Sequence, residues 1–326
     1  MLVALLACGG GTKTPTTPPT PTLPPSIAAG TALTLVAGDT SQPVPNASVV
    51  ISGQSPSGPF TSNLASNSAG QVIVDRQVLL SPAPLVDVVA TGYLSRSTLL
   101  RPQGERVLSL WPTGGDISEG LAASLVYSRS SCPAEQAPSL PLRRIGSSAS
   151  HAWIAFDSSL RDGAAMATHS EAVSHLNPIM GRLSYVVTSE APPPGGITFT
   201  MKLDPAASPC GTEGGDGSHV IAFATNDFSA SGEIVGGTVT YCAPTVARNV
   251  GAVAHELGHT AGFRHSPSPR DVMFCTTGRK TETFSDREAG IMGLMFQRRP
   301  GNTWPDNDRD ATAALGRPSQ ETFVCH

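Results

Sequence analysis

Two hydrophobic rhythms divide this chain. Over residues 27 to 112 apolar positions come in short strand-like runs: Ala32 to Val36, Ser48 to Ser52, Gln71 to Val74, Leu85 to Ala90 and Arg106 to Leu110. Clusters of Gly, Pro, Asn and Ser separate them, which predicts a small all-β sandwich with no helix in it. Trp111-Pro112-Thr113-Gly114-Gly115 makes the boundary, and the rhythm beyond it is mixed. Ala152 to Phe156 reads as a strand and Ala164 to Leu176 as a helix with Met166, Val173 and Leu176 on one side. Leu183 to Thr188, Ile197 to Leu203, His219 to Ala224 and Gly237 to Cys242 read as further strands. Val246, Val250, Val253, Ala254 and Leu257 then recur near the helical period, with Thr245 as the expected N-cap after Pro244. Ser285 and Glu288 form a capping box that opens a last helix through about Phe296, which Arg298, Arg299, Pro300 and Gly301 terminate. Residues 113–326 thus read as an α/β (α+β) unit. Pro305, Asp306, Asn307 and Asp308 read as a solvated polar tail, with calcium binding by the acids as the alternative.

The candidate chemistry sits on the helix before the capping box. His255 and His259 are four residues apart, one turn above each other on the same face, so two imidazole nitrogens can reach one metal ion. Glu256 follows the first of them, turned about 100° around the helix, where its carboxylate can approach a metal-activated water without occupying the metal. That is the position of a general base. Gly262 permits the positive φ needed to end the helix abruptly, and His265 then supplies a third nitrogen, leaving a fourth position for water or substrate. An isolated HExxH recurs by chance on amphipathic helices, but the extended string from His255 to His265 is far more selective. His151, His169, His175 and His219 have no ligand-type spacing and receive no role.

The string His255-Glu256-Leu257-Gly258-His259-Thr260-Ala261-Gly262-Phe263-Arg264-His265 resembles the signature of the metzincin zinc endopeptidases. That clan also carries a methionine turn, and Ser266-Pro267-Ser268-Pro269-Arg270-Asp271-Val272-Met273-Phe274 is similar to one. The resemblance implies a zincin-like fold, one catalytic Zn²⁺ on His255, His259 and His265, Glu256 as base, and Met273 as an apolar floor beneath the ligands. Ser266 after the third histidine resembles the matrixins, and Cys275 stands where some metzincins carry a tyrosine that approaches zinc. No latency segment of the PRCGxPD type lies upstream. Gly214 to His219 resembles the matrixin structural-metal loop only loosely and reads better as a glycine-rich turn.

Upstream, Pro43 to Val49, Ala69-Gly70 and Val88 to Tyr93 resemble the carboxypeptidase regulatory-like domain, which implies a transthyretin-like sandwich without catalytic residues, a positioning module or a stalk. Residues 1–8, with Leu5-Leu6-Ala7-Cys8-Gly9 at their end, resemble a partial bacterial lipobox, which implies lipidation of Cys8 and a membrane anchor. The apolar run before Cys8 is short and holds no Lys or Arg, so a translation start further upstream is expected. Residues 9–26 are a Thr/Pro-rich linker of the extended, semi-rigid kind. The expected location is therefore a bacterial cell surface or outer membrane, or the secreted fraction.

Six cysteines and an exported chain predict disulfides, and a Cys242–Cys275 bridge clamping the site floor to its helix is the first expectation. A net charge of −4 gives no reason to expect nucleic acid as a partner. The expected partner is a protein or peptide substrate, with a monomer favoured. Two other readings remain: an adhesin or binding lipoprotein that uses the sandwich, and a zinc hydrolase of a non-peptide amide.

Overall fold

The computed structural model describes residues 24–102, 106–129, 134, 137–213, 218–309 and 320–326. Cys8, the leader and most of the linker lie outside them, as do residues 214–217 of the glycine-rich turn. The described chain is a mixed α/β protein of several sheets, rich in strands and with few helices.

Nine short strands build the first part. They are β1 (Ser26–Ile27), β2 (Ala32–Ala37), β3 (Ser48–Ser55), β4 (Gly58–Ala65), β5 (Gln71–Ile73), β6 (Val78–Leu79), β7 (Leu85–Val89), β8 (Arg96–Leu99) and β9 (Val107–Leu110). A six-stranded sheet, β1-β6-β3-β7-β8 with β4 on the other side of β3, accompanies a three-stranded sheet, β5-β2-β9. The period of two read from the sequence is the packing rule. Leu33 and Leu35, Val49 and Ile51, Val86 and Val88, and Leu108 and Leu110 all point into one apolar core.

The second part begins with a short helix, α1 (Glu119–Ala122), capped by Ser118 and running into a π-helical turn, Ala123–Tyr127. Its main sheet contains β10 (Arg144–Ile145), β11 (His151–Phe156), β12 (Ser184–Thr188), β13 (Ile197–Leu203), β14 (Ala222–Phe228), β15 (Glu233–Tyr241) and β16 (Gln320–Cys325). The spatial order is β12-β11-β13-β15-β14-β16, with β10 paired to the start of β15. The first four run parallel, whereas β14 and β16 are antiparallel to their neighbours. Helix α2 (Gly163–Leu176) makes the crossover between the parallel strands β11 and β12 and packs on helix α3 (Val250–Ala261). Helix α4 (Asp286–Phe296) carries the expected capping box, with both Ser285 and Glu288 engaged.

Three local expectations are corrected. The N-cap of α3 is Asn249, whose side chain accepts from the Ala252 N–H at 2.8 Å, because residues 243–247 form a separate turn that leaves Thr245 too early. The strand expected from His219 starts at Ala222, and His219 hydrogen-bonds the Gly211 carbonyl instead. Cys242 is bridged to Cys210, not to Cys275. Cys242 directly follows β15, and the Asp204 N–H bonds the Tyr241 carbonyl there, so the turn after β13 brings Cys210 to a Cα separation of 5.5 Å. Cys275 is itself in a disulfide, and among the described residues Cys325 is the free thiol.

The expected polar tail is also overturned. Asp306 and Asp308 are buried, and each faces an arginine: Arg298 Nε to Asp306 at 2.7 Å, and Arg96 Nη2 to Asp308 at 3.4 Å. Arg298 also donates to the Ser109 hydroxyl and carbonyl at 2.7 and 2.8 Å, so the cluster ties β9 of the sandwich to the end of α4. Asn302 bonds both aspartates, Tyr127 donates to Asn302 at 2.6 Å, and Trp111 lies beneath the Arg298 guanidinium. With their oxygens engaged by arginine and asparagine, these acids are not a calcium site. The Trp111 boundary is a packed joint.

Candidate metal centre

Helix α3 is buried from Gly251 to Ala261, so its polar residues are enclosed along with its apolar ones. An enclosed polar group needs a partner, and the partners define this site. His255 Nδ1 lies 2.8 Å from the Val272 carbonyl and His259 Nδ1 lies 2.7 Å from the Phe263 carbonyl. A carbonyl can only accept, so both Nδ1 atoms carry the proton and both Nε2 atoms of the neutral rings present lone pairs. Those two Nε2 atoms face each other at 3.1 Å. Two lone pairs at that distance repel unless a cation lies between them. Burial, Arg279 and the neighbouring histidines push the His255 pKa well below its usual value; burial and His265 lead the same effect at His259. Both rings are therefore neutral and ligand-competent at ordinary pH.

His265 completes the group, its ring 5.3 Å from that of His255 and 4.9 Å from that of His259. One ligand nitrogen from each of the three lies within 4.8 Å of the others, an arrangement that could hold a metal ion. The local chain is built to bring His265 there. Gly262 ends α3 at φ 111°, and a Cβ on it would meet the Arg143 carbonyl oxygen at 2.2 Å. The carbonyls of the π-helical turn then take Arg264, from Leu125 to its N–H at 2.8 Å and from Val126 to its Nε at 3.2 Å. Extra carbonyls at a π-turn beside a site are a recurrent device. No sequence feature singled out this turn beforehand, although Ser118 and the apolar stretch Leu121 to Tyr127 are its signal.

Met273 is fully buried against α3, and a Cβ on Gly258 would meet its sulfur at 2.3 Å. Met273 and the first of the two glycines in the string thus fit each other. Ser266 bonds to Met273 through backbone (2.7 Å) and to Asp271 through its hydroxyl. Glu288 has two tasks. Besides closing the capping box on Ser285, its carboxylate accepts from the Val272 and Met273 N–H groups at 3.2 and 2.9 Å. It thereby holds the peptide whose Val272 carbonyl orients His255.

Glu256 has no exposed surface, and apart from the Cys325 thiol its carboxylate oxygens have no hydrogen-bond partner among the described residues. Burial pushes its pKa up to about 8, while Arg279 and the Cys325 thiol pull the other way. A divalent cation in the histidine cluster would lower it again. Cys325 and Phe323 are site residues that the sequence reading missed. The Cys325 sulfur, a His255 ring nitrogen and a Glu256 oxygen lie within 4.8 Å of one another, and the Phe323 ring stacks on His259 at 4.8 Å. Alongside opens a pocket of about 620 Å³ lined by Ile221, the start of α3, Thr277 and residues 279–282. Comparison with protein-family models and with curated proteins returned no match to this chain.

Proposed function

We propose that this chain is a zinc-dependent endopeptidase of the metzincin type, acting on extracellular proteins. One observation carries the reading: two imidazoles whose Nδ1 atoms are committed to carbonyls turn bare Nε2 lone pairs toward each other at 3.1 Å, beside the buried Glu256 carboxylate. Tetrahedral zinc with Zn–N of about 2.0–2.1 Å separates its nitrogens by roughly 3.3 Å, so the donor set fits that ion. Once bound on His255, His259 and His265, zinc supplies a Lewis acid that polarises the scissile carbonyl and acidifies a water.

The remaining steps belong to the chain. Glu256 takes a proton from the attacking water and delivers it to the leaving amine, a role its place beside the metal ligands and its burial suit. Val272 and Phe263 carbonyls fix the tautomers of His255 and His259. Met273 and Gly258 set the floor. The matrixin-like assignment rests on Ser266 and belongs to the same proposal. The transthyretin-like sandwich serves as a positioning module, since the Arg298, Asp306 and Ser109 contacts hold it in one orientation. Residues 1–26 supply the tether, anchored through lipidated Cys8; among the described residues no helix is long and apolar enough to cross a membrane.

The test separates metal from catalysis. Wild type and Glu256→Gln are expected to bind one zinc per chain by elemental analysis, and His259→Ala to lose it. Casein hydrolysis should fall by about 10²- to 10⁴-fold in Glu256→Gln and vanish on chelation. A Glu256→Gln protein that cleaves at the wild-type rate sinks the mechanism.

A further inference from the structure

The histidine cluster is covered completely: His255, Glu256 and His259 have no exposed surface and His265 has 1%. A substrate carbonyl reaches them only when part of this cover opens, so the intact fold hydrolyses slowly. Part of the cover is β16, which adds to the edge of β14 in antiparallel register from Asp227↔Gln320 to Ala222↔Cys325. Beyond Cys325 the backbone continues onto the segment after Met273, with the His326 N–H on the Cys275 carbonyl (3.1 Å) and the Thr277 N–H on the His326 carbonyl (2.8 Å). An extended peptide bound by strand addition makes this pattern of main-chain bonds, with alternate side chains entering pockets.

Those alternate side chains meet the catalytic group. Phe323 stacks on His259 with an interplanar angle of 15°, and the Cys325 thiol sits between His255, Glu256 and Arg279, whose Nη2 is 3.4 Å from the sulfur. Glu321 forms a two-pronged pair with Arg264, which is itself 1% exposed and also lies 5.7 Å over the Phe323 ring. Among the described residues Glu321 is the acidic partner of that buried cation. An ordinary edge strand has no need to place a free thiol against a buried carboxylate that has no other hydrogen-bond partner among the described residues.

We propose that residues 320–326 occupy the substrate groove of this chain, so that the folded form is latent and the groove takes an extended peptide with an acidic and an aromatic side chain two residues apart. The inference rests on the peptidase reading for its meaning but not for its test. Release of β16 uncovers Glu256 and leaves Arg264 without its carboxylate, and an incoming peptide with the same two side chains replaces both contacts.

The experiment uses the full chain carrying Glu321→Ala with Phe323→Ala, and three readouts. Iodoacetamide labelling of Cys325, located by peptide mapping, should be at least tenfold faster than in wild type. A fluorescein-labelled Gln-Glu-Thr-Phe-Val-Cys-His peptide should bind this double variant in a Glu256→Gln background and not the wild-type sequence. The same peptide with lysine in place of its glutamate should bind at least tenfold more weakly. Casein hydrolysis by the double variant with Glu256 intact should rise at least tenfold. Glu321→Gln, nearly isosteric, is the second variant and should move each readout in the same direction by a smaller factor. Faster Cys325 labelling with neither peptide binding nor a gain in hydrolysis would overturn the proposal. So would wild-type Cys325 that labels as fast as in the unfolded chain. Peptide binding without hydrolysis by any form upholds the occupancy and removes the peptidase reading instead.

Discussion

The molecule encloses two clusters of polar side chains, and they are built on opposite terms. At the joint between sandwich and α/β part, Arg298 faces Asp306 and Arg96 faces Asp308, and Asn302, Tyr127 and Ser109 take up further donors and acceptors. At the histidine cluster, two Nε2 lone pairs face each other, and among the described residues the Glu256 carboxylate has no partner beyond the Cys325 thiol. Both clusters are withdrawn from water, so the cost of an unmet group is of the same kind in each. The joint meets most of that cost internally, with Arg96 Nε and Trp111 Nε1 the buried donors left over, and is architecture. The cluster on α3 leaves it to be met by something else, and its three histidines could hold a metal ion.

The comparison breaks most sharply at the joint. Asp306→Ala leaves the Arg298 guanidinium buried without its counter-charge and should cost about 3–5 kcal/mol, read as a shift in the urea midpoint. The site should answer to metal instead. With free zinc a thousandfold above its dissociation constant, the bound ion adds about 4 kcal/mol. Thermal scans with and without chelator should show that difference in wild type and lose it in His259→Ala. The Asp306→Ala deficit should be the same in both media.

A buried histidine outside the metal cluster sharpens the contrast. His169 packs between the Ala165 carbonyl and the Tyr241 hydroxyl, and burial pushes its pKa down to about 4, with the Ala165 carbonyl and Asp162 opposing. Because the folded value lies below the unfolded one, the contribution is full above about pH 6.5 and is lost as pH falls through about 4, amounting to about 3 kcal/mol. Denaturation curves from pH 7 to 4 should show that loss, and His169→Gln should flatten it. The smallest effect is expected at Glu288→Ala, about 1–3 kcal/mol for unmet backbone donors. It should be accompanied by a fall of about 10- to 100-fold in zinc affinity through His255, measured by competition with a chromophoric chelator.

What the sequence disclosed and what it hid follow from the range of each interaction. The His255, His259 and Gly262 spacing and the Ser285 and Glu288 box are contacts within a turn or two, so their geometry is written in residue intervals. Strands such as Ile197–Leu203 were legible because alternation is local. The Cys210–Cys242 bridge was not, since it depends on where the turn after β13 lies relative to the end of β15. Charge misled for the same reason. Asp306 and Asp308 look solvated in a string of polar residues, and only the fold supplies the arginines 8 and 212 positions away. Cys325 and Phe323 sit in a β-branched and aromatic run, Thr322 to Cys325, whose strand signal was overshadowed by the polar stretch before it.

Glu288 joins two events that would otherwise be independent. The carboxylate that caps α4 also holds the Val272 and Met273 amides, so fraying of that helix's first turn and loosening of His255 are one opening. Seen by amide exchange, the Ser285, Val272 and Met273 protons should therefore leave together, with a common free energy.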